Sequence, residues 1–328
     1  MTKNNSIDVY KGLLIWLVVA GHVIGALMPF AAENVEKVLN VMFESIYSFH
    51  MAAFFVVAGY MSVKYGSGDR LPLGQFFMRK FRRLLIPYFV FGAMSAGVYL
   101  VTCPEIRGVP LQPFLSLLHG GGWPDGAGFK CNSVLWFLPA MFMTVLCGRL
   151  FEIWIRKRIA IYVVLCMALV PITGIIVRSF GTASWPWALV VLPRWLSVYF
   201  AGRIIAILSG EKDVMQVVSL GIWGALGIPV IVAMAMSVAW LHDNGWSNRI
   251  AFSYIAWISG LVGTAISAGI ASSLSNSFWI HMGKCSLGIM LLHKFLIVAA
   301  VRLLPLGCVV PGYGIALLLV SLCLRLHA

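Results

Sequence analysis

The sequence predicts an all-α protein: a polytopic transmembrane helix bundle of about ten spans. Hydrophobic residues make up 61% of the 328 positions and charged residues only 11%, whereas a soluble chain has about 45–50% and about 25%. The apolar residues are gathered in runs of about 20, the length that crosses a bilayer, and short basic clusters separate the runs. A soluble domain of this size could not bury so much apolar surface, so lipid must cover it.

The apolar runs give the candidate spans in order. They are approximately 13–30, 41–63, 84–102, 134–151, 159–177, 187–208, 215–241, 250–274, 286–304 and 309–326. The first run is longer than a signal-peptide core and no A-x-A site follows it, so we expect a retained helix. Pro311 and Gly312 make the last run the weakest. No repeat or linker is evident, so residues 1–328 are predicted to form a single transmembrane domain.

The basic residues predict the orientation of the bundle. With a cytoplasmic N-terminus, two thirds of the 24 Lys and Arg residues fall in inner loops and at inner helix ends, and Arg149, Arg158 and Arg203 are among them. Cytoplasmic loops carry such an excess, so both termini are predicted to be cytoplasmic. The net charge of +13 then reflects topology and anionic headgroups, and nucleic acid is not an expected partner.

Sequence motifs for metal or nucleotide chemistry are absent. None of the seven cysteines forms a C-x-x-C pair, and Walker A, H-E-x-x-H and dinucleotide-binding glycine patterns do not occur. We therefore expect no metal. Cys103 and Cys131 fall in one predicted external loop, where a disulfide is an open alternative.

That external loop, about 103–133, is a candidate binding segment. It contains His119 followed directly by three consecutive glycines, then Trp123 and Asp125. Loops of this length without evident structure are often functional. The histidine and glycines resemble the oxyanion loop of esterases, but no G-x-S-x-G accompanies them, which favours a flexible loop.

Three histidines lie deep inside predicted spans. Lys11 and His22 are eleven residues apart, so they share a helix face to within roughly 20° and lie about 16 Å apart along the axis. His50 is about 14 Å inside the outer boundary and His293 about 10 Å from the inner one. Neutral imidazoles can accept protons from hydroxyls near pH 7, so these are candidate general bases. The alternative is that they make structural interhelical hydrogen bonds.

Two further features have open interpretations. The basic run that includes Arg82 and Arg83 enters the third predicted helix; it is typical of a positive-inside anchor and also of a cradle for the phosphates of coenzyme A. Lys294 follows His293 and is either a functional residue or a member of a structural ion pair.

Several motifs occur in the order found in one family. They are Asp8, Lys11, Gly12 and His22; Phe49, His50 and Met51 with Phe54, Phe55, Gly59 and Tyr60; Arg82, Arg83, Leu84, Pro87 and Tyr88; Leu135, Trp136, Phe137, Leu138 and Pro139; and Gly283, Lys284, Ser286, Leu287, Gly288, Ile289 and His293. The set resembles the integral-membrane acyltransferase-3 family, especially its fucose 4-O-acetylase-like branch. One departure is Lys11, where many members have arginine; lysine keeps the charge but loses the bidentate fork.

The resemblance implies an enzyme, a membrane O-acetyltransferase. It would move acetyl from cytoplasmic acetyl-CoA, its co-substrate, to a sugar hydroxyl of a surface glycan or its lipid-linked precursor, such as O-antigen or another envelope polysaccharide. It also implies a multi-pass location in a bacterial cytoplasmic (inner) membrane. We expect His22 to act as general base or acyl carrier, assisted by His50 or His293. The expected binding residues are Lys11, Arg82 and Arg83 for the donor and Asp8, His119, Trp123, Asp125, Trp136 and Lys294 for the acceptor.

Other functions stay open at this point. A glycan or small-molecule exporter would also use buried histidines and lysines, although no repeat relates the two halves of the sequence. A membrane-bound O-acyltransferase of the other large class also has a buried histidine, but these motifs fit it poorly. Self-association into a homo-oligomer is left open.

Overall fold

The computed structural model describes residues 3–65, 71–102, 112–118, 120, 132–155, 158–180, 187, 189–210, 222–244, 249–274 and 276–303. Several sequence predictions lie outside these residues: the last candidate span, the binding role of His119, Trp123 and Asp125, and the pairing of Cys103 with Cys131.

The regular elements of the described ranges are helices. They are α1 Lys3–Leu27, α2 Glu33–Tyr47, α3 His50–Lys64, α4 Leu73–Lys80, α5 Ile86–Thr102, α6 Gln112–Leu118, α7 Phe137–Ile155, α8 Ile159–Phe180, α9 Leu192–Leu208, α10 Ile222–Asp243, α11 Arg249–Ser272, α12 Ser277–Lys284 and α13 Ser286–Leu303. A π-helical turn, Phe81–Leu85, joins α4 to α5. Short 3-10 turns occur at Met28–Phe30 and Ser133–Trp136.

These helices confirm a polytopic, all-helical transmembrane protein. Within the described ranges, five segments are long and apolar enough to cross a membrane: Asn5–Phe30, Glu33–Lys64, Ser133–Ile155, Ile159–Ile176 and Ile250–Ser272. A sixth exists if α12 and α13, which meet at a bend of 81°, form one broken span. The span number of about ten and the cytoplasmic termini stay predictions.

Two helices begin well before their predicted apolar runs. α1 begins at Lys3, and its polar first turns contain an ion pair between Lys11 Nζ and Asp8 Oδ1 at 2.7 Å. α2 begins at Glu33, which pairs with Lys37 at 2.8 Å. Ion pairs three or four residues apart lie on one helix face and stabilise it. Polar turns therefore extend both helices beyond the residues that hydropathy identifies.

The chain forms two compact units. The first consists of Met1–Phe54, Ser209–Asn248 and Ile255–Ala328, and the second of Phe55–Leu208 and Arg249–Tyr254.

In the first unit, α1 packs against α2, α12 and α13, and α10 packs against α2. The crossing of α1 with α12 is a backbone contact, because a Cβ on Gly12 would overlap the carbonyl oxygen of Trp279 and a Cβ on Gly283 would overlap that of Asp8. Small residues allow helices in membranes to approach this closely. Tyr10 adds a polar tie from α1 to α11, donating to the carbonyl of Thr264 at 2.9 Å.

In the second unit, α7 and α8 pack against α9. Two glycines bring α3 onto α9: a Cβ on Gly59 would overlap the carbonyl oxygen of Tyr199, and one on Gly202 would overlap that of Val56. The middle of α3 and the middle of α9 are therefore in backbone contact.

The second unit also contains a buried ion network. Glu152 accepts hydrogen bonds from Arg203 at 2.5 Å and from Arg149 at 3.1 Å. Arg203 donates further to the hydroxyl of Ser62 at 2.7 Å. The three charged residues are at most 9% exposed. The sequence predicted Arg149 and Arg203 only as charges on the cytoplasmic side, whereas here they share one carboxylate.

We expect Gly283→Ala to destabilise the first unit. The added Cβ meets the backbone of Asp8, which cannot rotate away, and overpacking of this kind costs about 1–3 kcal/mol. Thermal unfolding of the purified protein in detergent should show a lower midpoint. The matched control is Gly288→Ala, because no atom lies within 4 Å of its added Cβ. Equal midpoints for the two variants would contradict the close crossing.

Glu152→Gln should destabilise the protein more strongly. It leaves two buried guanidinium groups without their shared counter-charge, and breaking a buried pair costs about 3–5 kcal/mol. The control is Glu33→Gln, which removes the exposed pair with Lys37 and should change stability by about 0.5 kcal/mol or less. The ion network loses its assigned role if both variants unfold at the same denaturant concentration.

Candidate active site

The first unit brings the three predicted histidines together around a tyrosine. The ring centroids of His22 and His293 are 5.2 Å apart. The ring of Tyr47 lies 4.8 Å from that of His50 and 6.0 Å from that of His22, edge-on to both. We call these four residues the histidine cluster.

A break between α2 and α3 places two of the four. α2 ends at Tyr47 and α3 begins at His50. Nδ1 of His50 donates across the break to the carbonyl oxygen of Ile46 at 2.7 Å. The last carbonyls of a helix lack partners within that helix, so the imidazole satisfies one of them. His50 is only 2% exposed.

His293 is held in the same way within α13. Its Nδ1 donates to the carbonyl oxygen of Ile289 at 2.9 Å. A carbonyl oxygen only accepts, so Nδ1 carries the proton in both histidines and the neutral ring has its lone pair on Nε2. In the described part of the chain, Nε2 of His293 is buried and has no hydrogen-bond partner. Buried polar atoms without a hydrogen-bond partner are uncommon in proteins.

His22 has a different partner. Its Nδ1 lies 3.2 Å from the hydroxyl of Tyr47, a group that can donate or accept. Tyr47 stacks on Phe43 with ring centroids 4.0 Å apart. Two glycines of α1 leave room for this aromatic pair: a Cβ on Gly21 would lie 2.9 Å from the Tyr47 ring, and one on Gly25 would lie 3.1 Å from Phe43.

Three other predicted site residues belong to the first unit. Lys11 and Asp8 form the ion pair described above, with side chains 19% and 16% exposed, so Asp8 compensates the charge predicted to meet coenzyme A. Lys294 follows His293 in α13 and is partly buried. Within the described ranges, no carboxylate lies at ion-pair distance from it.

The second unit contains the predicted basic cluster. Arg82 and Arg83 lie in the π-helical turn. With Arg79, Gln75 and Met78 they line an open groove of about 470 Å³, which we call the basic groove. π-helical turns are frequent at functional sites, and no sequence pattern predicted this one.

Lys80, next to the basic groove, extends over the ring of Phe76 at 5.5 Å. Burial, together with the charges of Arg83 and Arg79, lowers the pKa of Lys80 to about 8. Its charge therefore falls as the pH rises above 8, whereas an arginine stays protonated.

Trp136 also lies in the second unit, at the start of α7. Its ring centroid is 6.0 Å from that of Trp195, which stacks on Phe55 at 4.6 Å. The guanidinium of Arg194 lies 5.2 Å from the Trp195 ring, a cation–π contact. Trp136 is thus part of an aromatic cluster, and its predicted contact with substrate stays a prediction.

Sequence reasoning missed Tyr47 and Glu152. Tyr47 precedes His50 by three residues, the helical spacing that puts two side chains on one face, and that was the available signal. Glu152 is an acidic residue at the end of an apolar run, where a buried partner is expected. Among the described residues, no group of three or more His, Cys, Asp or Glu side chains could hold a metal ion.

Comparison with known proteins identifies the family. A family model described as an acyltransferase domain, of the acyltransferase-3 type, matches residues 4–326. No curated protein and no solved structure matches the chain. The match spans both compact units and includes the histidine cluster and the basic groove. The chain belongs to the acyltransferase-3 family and is a multi-pass membrane acyltransferase.

Proposed function

We propose that this acyltransferase is an O-acetyltransferase. It moves acetyl from cytoplasmic acetyl-CoA to a sugar hydroxyl of a surface glycan or its lipid-linked precursor, in a bacterial inner membrane. The observation that carries the proposal is the histidine cluster, in which a buried imidazole nitrogen of His293 has no partner among the described residues and its ring lies beside that of His22. Such an acceptor atom fits a substrate hydroxyl, which brings the missing donor.

The reaction needs one proton to be taken up and given back. The acceptor oxygen bonds to the thioester carbonyl carbon while its proton passes to an imidazole. The C–S bond then breaks, and the same proton passes to the coenzyme A sulfur. A histidine suits both transfers, because a ring nitrogen with a lone pair can accept a proton and then release it. A second imidazole in the cluster is available to orient the carbonyl group.

The donor phosphates are assigned to the basic groove. Three arginine side chains there point outward from one helical segment, and guanidinium groups bind phosphates with two parallel hydrogen bonds. Lys11 is a further candidate contact, with its charge already paired by Asp8.

The acceptor residues are proposed on chemistry alone. Lys294 lies in the same helix turn as His293, and within the described ranges it has no carboxylate partner, so its ammonium group is suited to polar sugar groups or phosphates. Trp136 offers an aromatic face, and His119, Trp123 and Asp125 stay predicted contacts of the external loop. Asp8 is kept as a predicted contact, with Lys11 as its present partner.

His22→Ala should lower acetyl transfer at least about 100-fold while the protein still inserts and folds. The measurement is coenzyme A release and acetylated glycan formed by purified protein in nanodiscs. The matched control is His242→Ala, an exposed histidine at the end of α10 in the same unit, which should keep wild-type activity. Normal acetylation by the His22 variant would contradict the assignment of the histidine cluster as the active site. Wild-type protein that never consumes acetyl-CoA with an acceptor present would favour transport instead.

Arg82→Gln combined with Arg83→Gln should raise the KM for acetyl-CoA at least about tenfold, because the two lost phosphate contacts are together worth about 1.4 kcal/mol or more. The kcat should change much less, since these contacts form equally in ground and transition states. Arg158→Gln, another exposed arginine predicted on the cytoplasmic side, is the control and should leave KM unchanged. An unaltered KM in the double variant removes the basic groove from the donor site.

A further inference from the structure

The Nδ1 atoms of the three clustered histidines each face an oxygen, but the oxygens differ. His50 and His293 face backbone carbonyls, which fix their proton on Nδ1. His22 faces the phenol of Tyr47. The tautomer of His22 therefore depends on which of these two groups donates.

The hydroxyl of Tyr47 carries one proton and can donate it in one hydrogen bond. Across the described residues, Nδ1 of His22 is its one hydrogen-bond partner. Phe43, Gly21 and the ring of His50 pack against the phenol ring, and within the described ranges no other acceptor lies at hydrogen-bond distance from its hydroxyl. A part-buried donor that leaves its hydrogen bond to the protein unmade loses stabilisation. Tyr47 therefore donates to Nδ1, and neutral His22 carries its own proton on Nε2.

We propose that His22 and His293 are held in opposite tautomers and perform opposite tasks, with Tyr47 as the positioning residue that sets this arrangement. Nε2 of His293 is a lone-pair acceptor and takes the proton of the attacking hydroxyl. Nε2–H of His22 is a donor and hydrogen-bonds the thioester carbonyl oxygen as negative charge develops on it. This inference rests on the proposed function and reverses the role that the sequence predicted for His22.

The step balances with these assignments. The acceptor oxygen forms its bond to the carbonyl carbon, and its proton moves to Nε2 of His293, which becomes an imidazolium. When the C–S bond breaks, that proton moves to the coenzyme A sulfur and neutral His293 is restored. His22 contributes a hydrogen bond and transfers no proton, so it never has to become an imidazolate. The 5.2 Å between the two rings allows both to reach one reacting carbonyl group.

Glutamine substitutions separate the two roles. A glutamine side chain supplies an N–H near the position of a histidine Nε2 atom, but it cannot take up a proton at neutral pH. His22→Gln should therefore retain about a tenth to a hundredth of wild-type kcat, well above His22→Ala, because losing one such donor outright costs about 100-fold to 1000-fold. His293→Gln should lose activity at least about 1000-fold, since the base has no replacement.

Tyr47→Phe tests the positioning role. Without the phenol, His22 is free to adopt either tautomer, so kcat should fall about 10-fold to 100-fold while the KM for acetyl-CoA stays within about twofold. The matched control is Tyr10→Phe, which removes another hydrogen-bonded tyrosine hydroxyl of the first unit, one bonded to Thr264 and Ser267. A general effect of losing a hydrogen-bonded tyrosine hydroxyl would appear in both variants.

Nitrogen-15 NMR of histidine-labelled protein reads the tautomers without any reaction. The wild type should show His22 protonated on Nε2 and His293 on Nδ1, with signals assigned through the His22→Ala and His293→Gln variants. Tyr47→Phe should change the His22 signals and leave those of His293 in place. His22 protonated on Nδ1 in the wild type, or a Tyr47→Phe enzyme with unchanged kcat, overturns the inference.

The enzyme assays separate failure of the inference from failure of the proposed function. If His293→Gln stays active and His22→Gln is as inactive as His22→Ala, the roles are reversed and the acetyltransferase assignment stands. If every histidine variant transfers acetyl at the wild-type rate, the histidine cluster is not the active site and both proposals fall.

Discussion

The structure depends on one constraint, that polar atoms inside apolar helices must find partners within the protein. Lipid offers none, and an unmet donor or acceptor there costs several kcal/mol. His50 and His293 meet the constraint locally, through a carbonyl four residues earlier. Their ring orientation is therefore fixed by the backbone of their own segment. His22 meets it through a side chain from another helix, Tyr47, so its chemistry depends on packing.

In the second unit, buried polar atoms find their partners in an ion network. One carboxylate, Glu152, serves two guanidinium groups, and Ser62 takes a further donor. A buried network of this kind fixes how helices meet, but its charges are already paired and give it little to offer a substrate. In the first unit, by contrast, Nε2 of His293 has no partner in the part of the chain that the structure describes. That contrast is the physical reason for assigning the chemistry to the histidine cluster.

The fold class and the depth of the three histidines could be predicted from the sequence, whereas the contacts that bring residues together could not. Composition fixed the class, and helical rise put His22, His50 and His293 at comparable depth. Their meeting depends on the break after Tyr47 and on the bend of 81° between α12 and α13, and neither point carries a proline. Charge counting identified Arg149 and Arg203 by sign, but a count contains no information about partners such as Glu152.

The glycines of α1 show how a single helix can set both the packing and the site. Gly12 and Gly21 are nine residues apart, which puts them on opposite helix faces at about 100° per residue. The Gly12 face meets the backbone of α12, and the Gly21 face leaves room for Tyr47 and Phe43. Displacement of α1 by a larger residue at Gly12 would thus also move His22 relative to its hydrogen-bond partner. The tautomer of His22 consequently depends on how α1 packs against its neighbours.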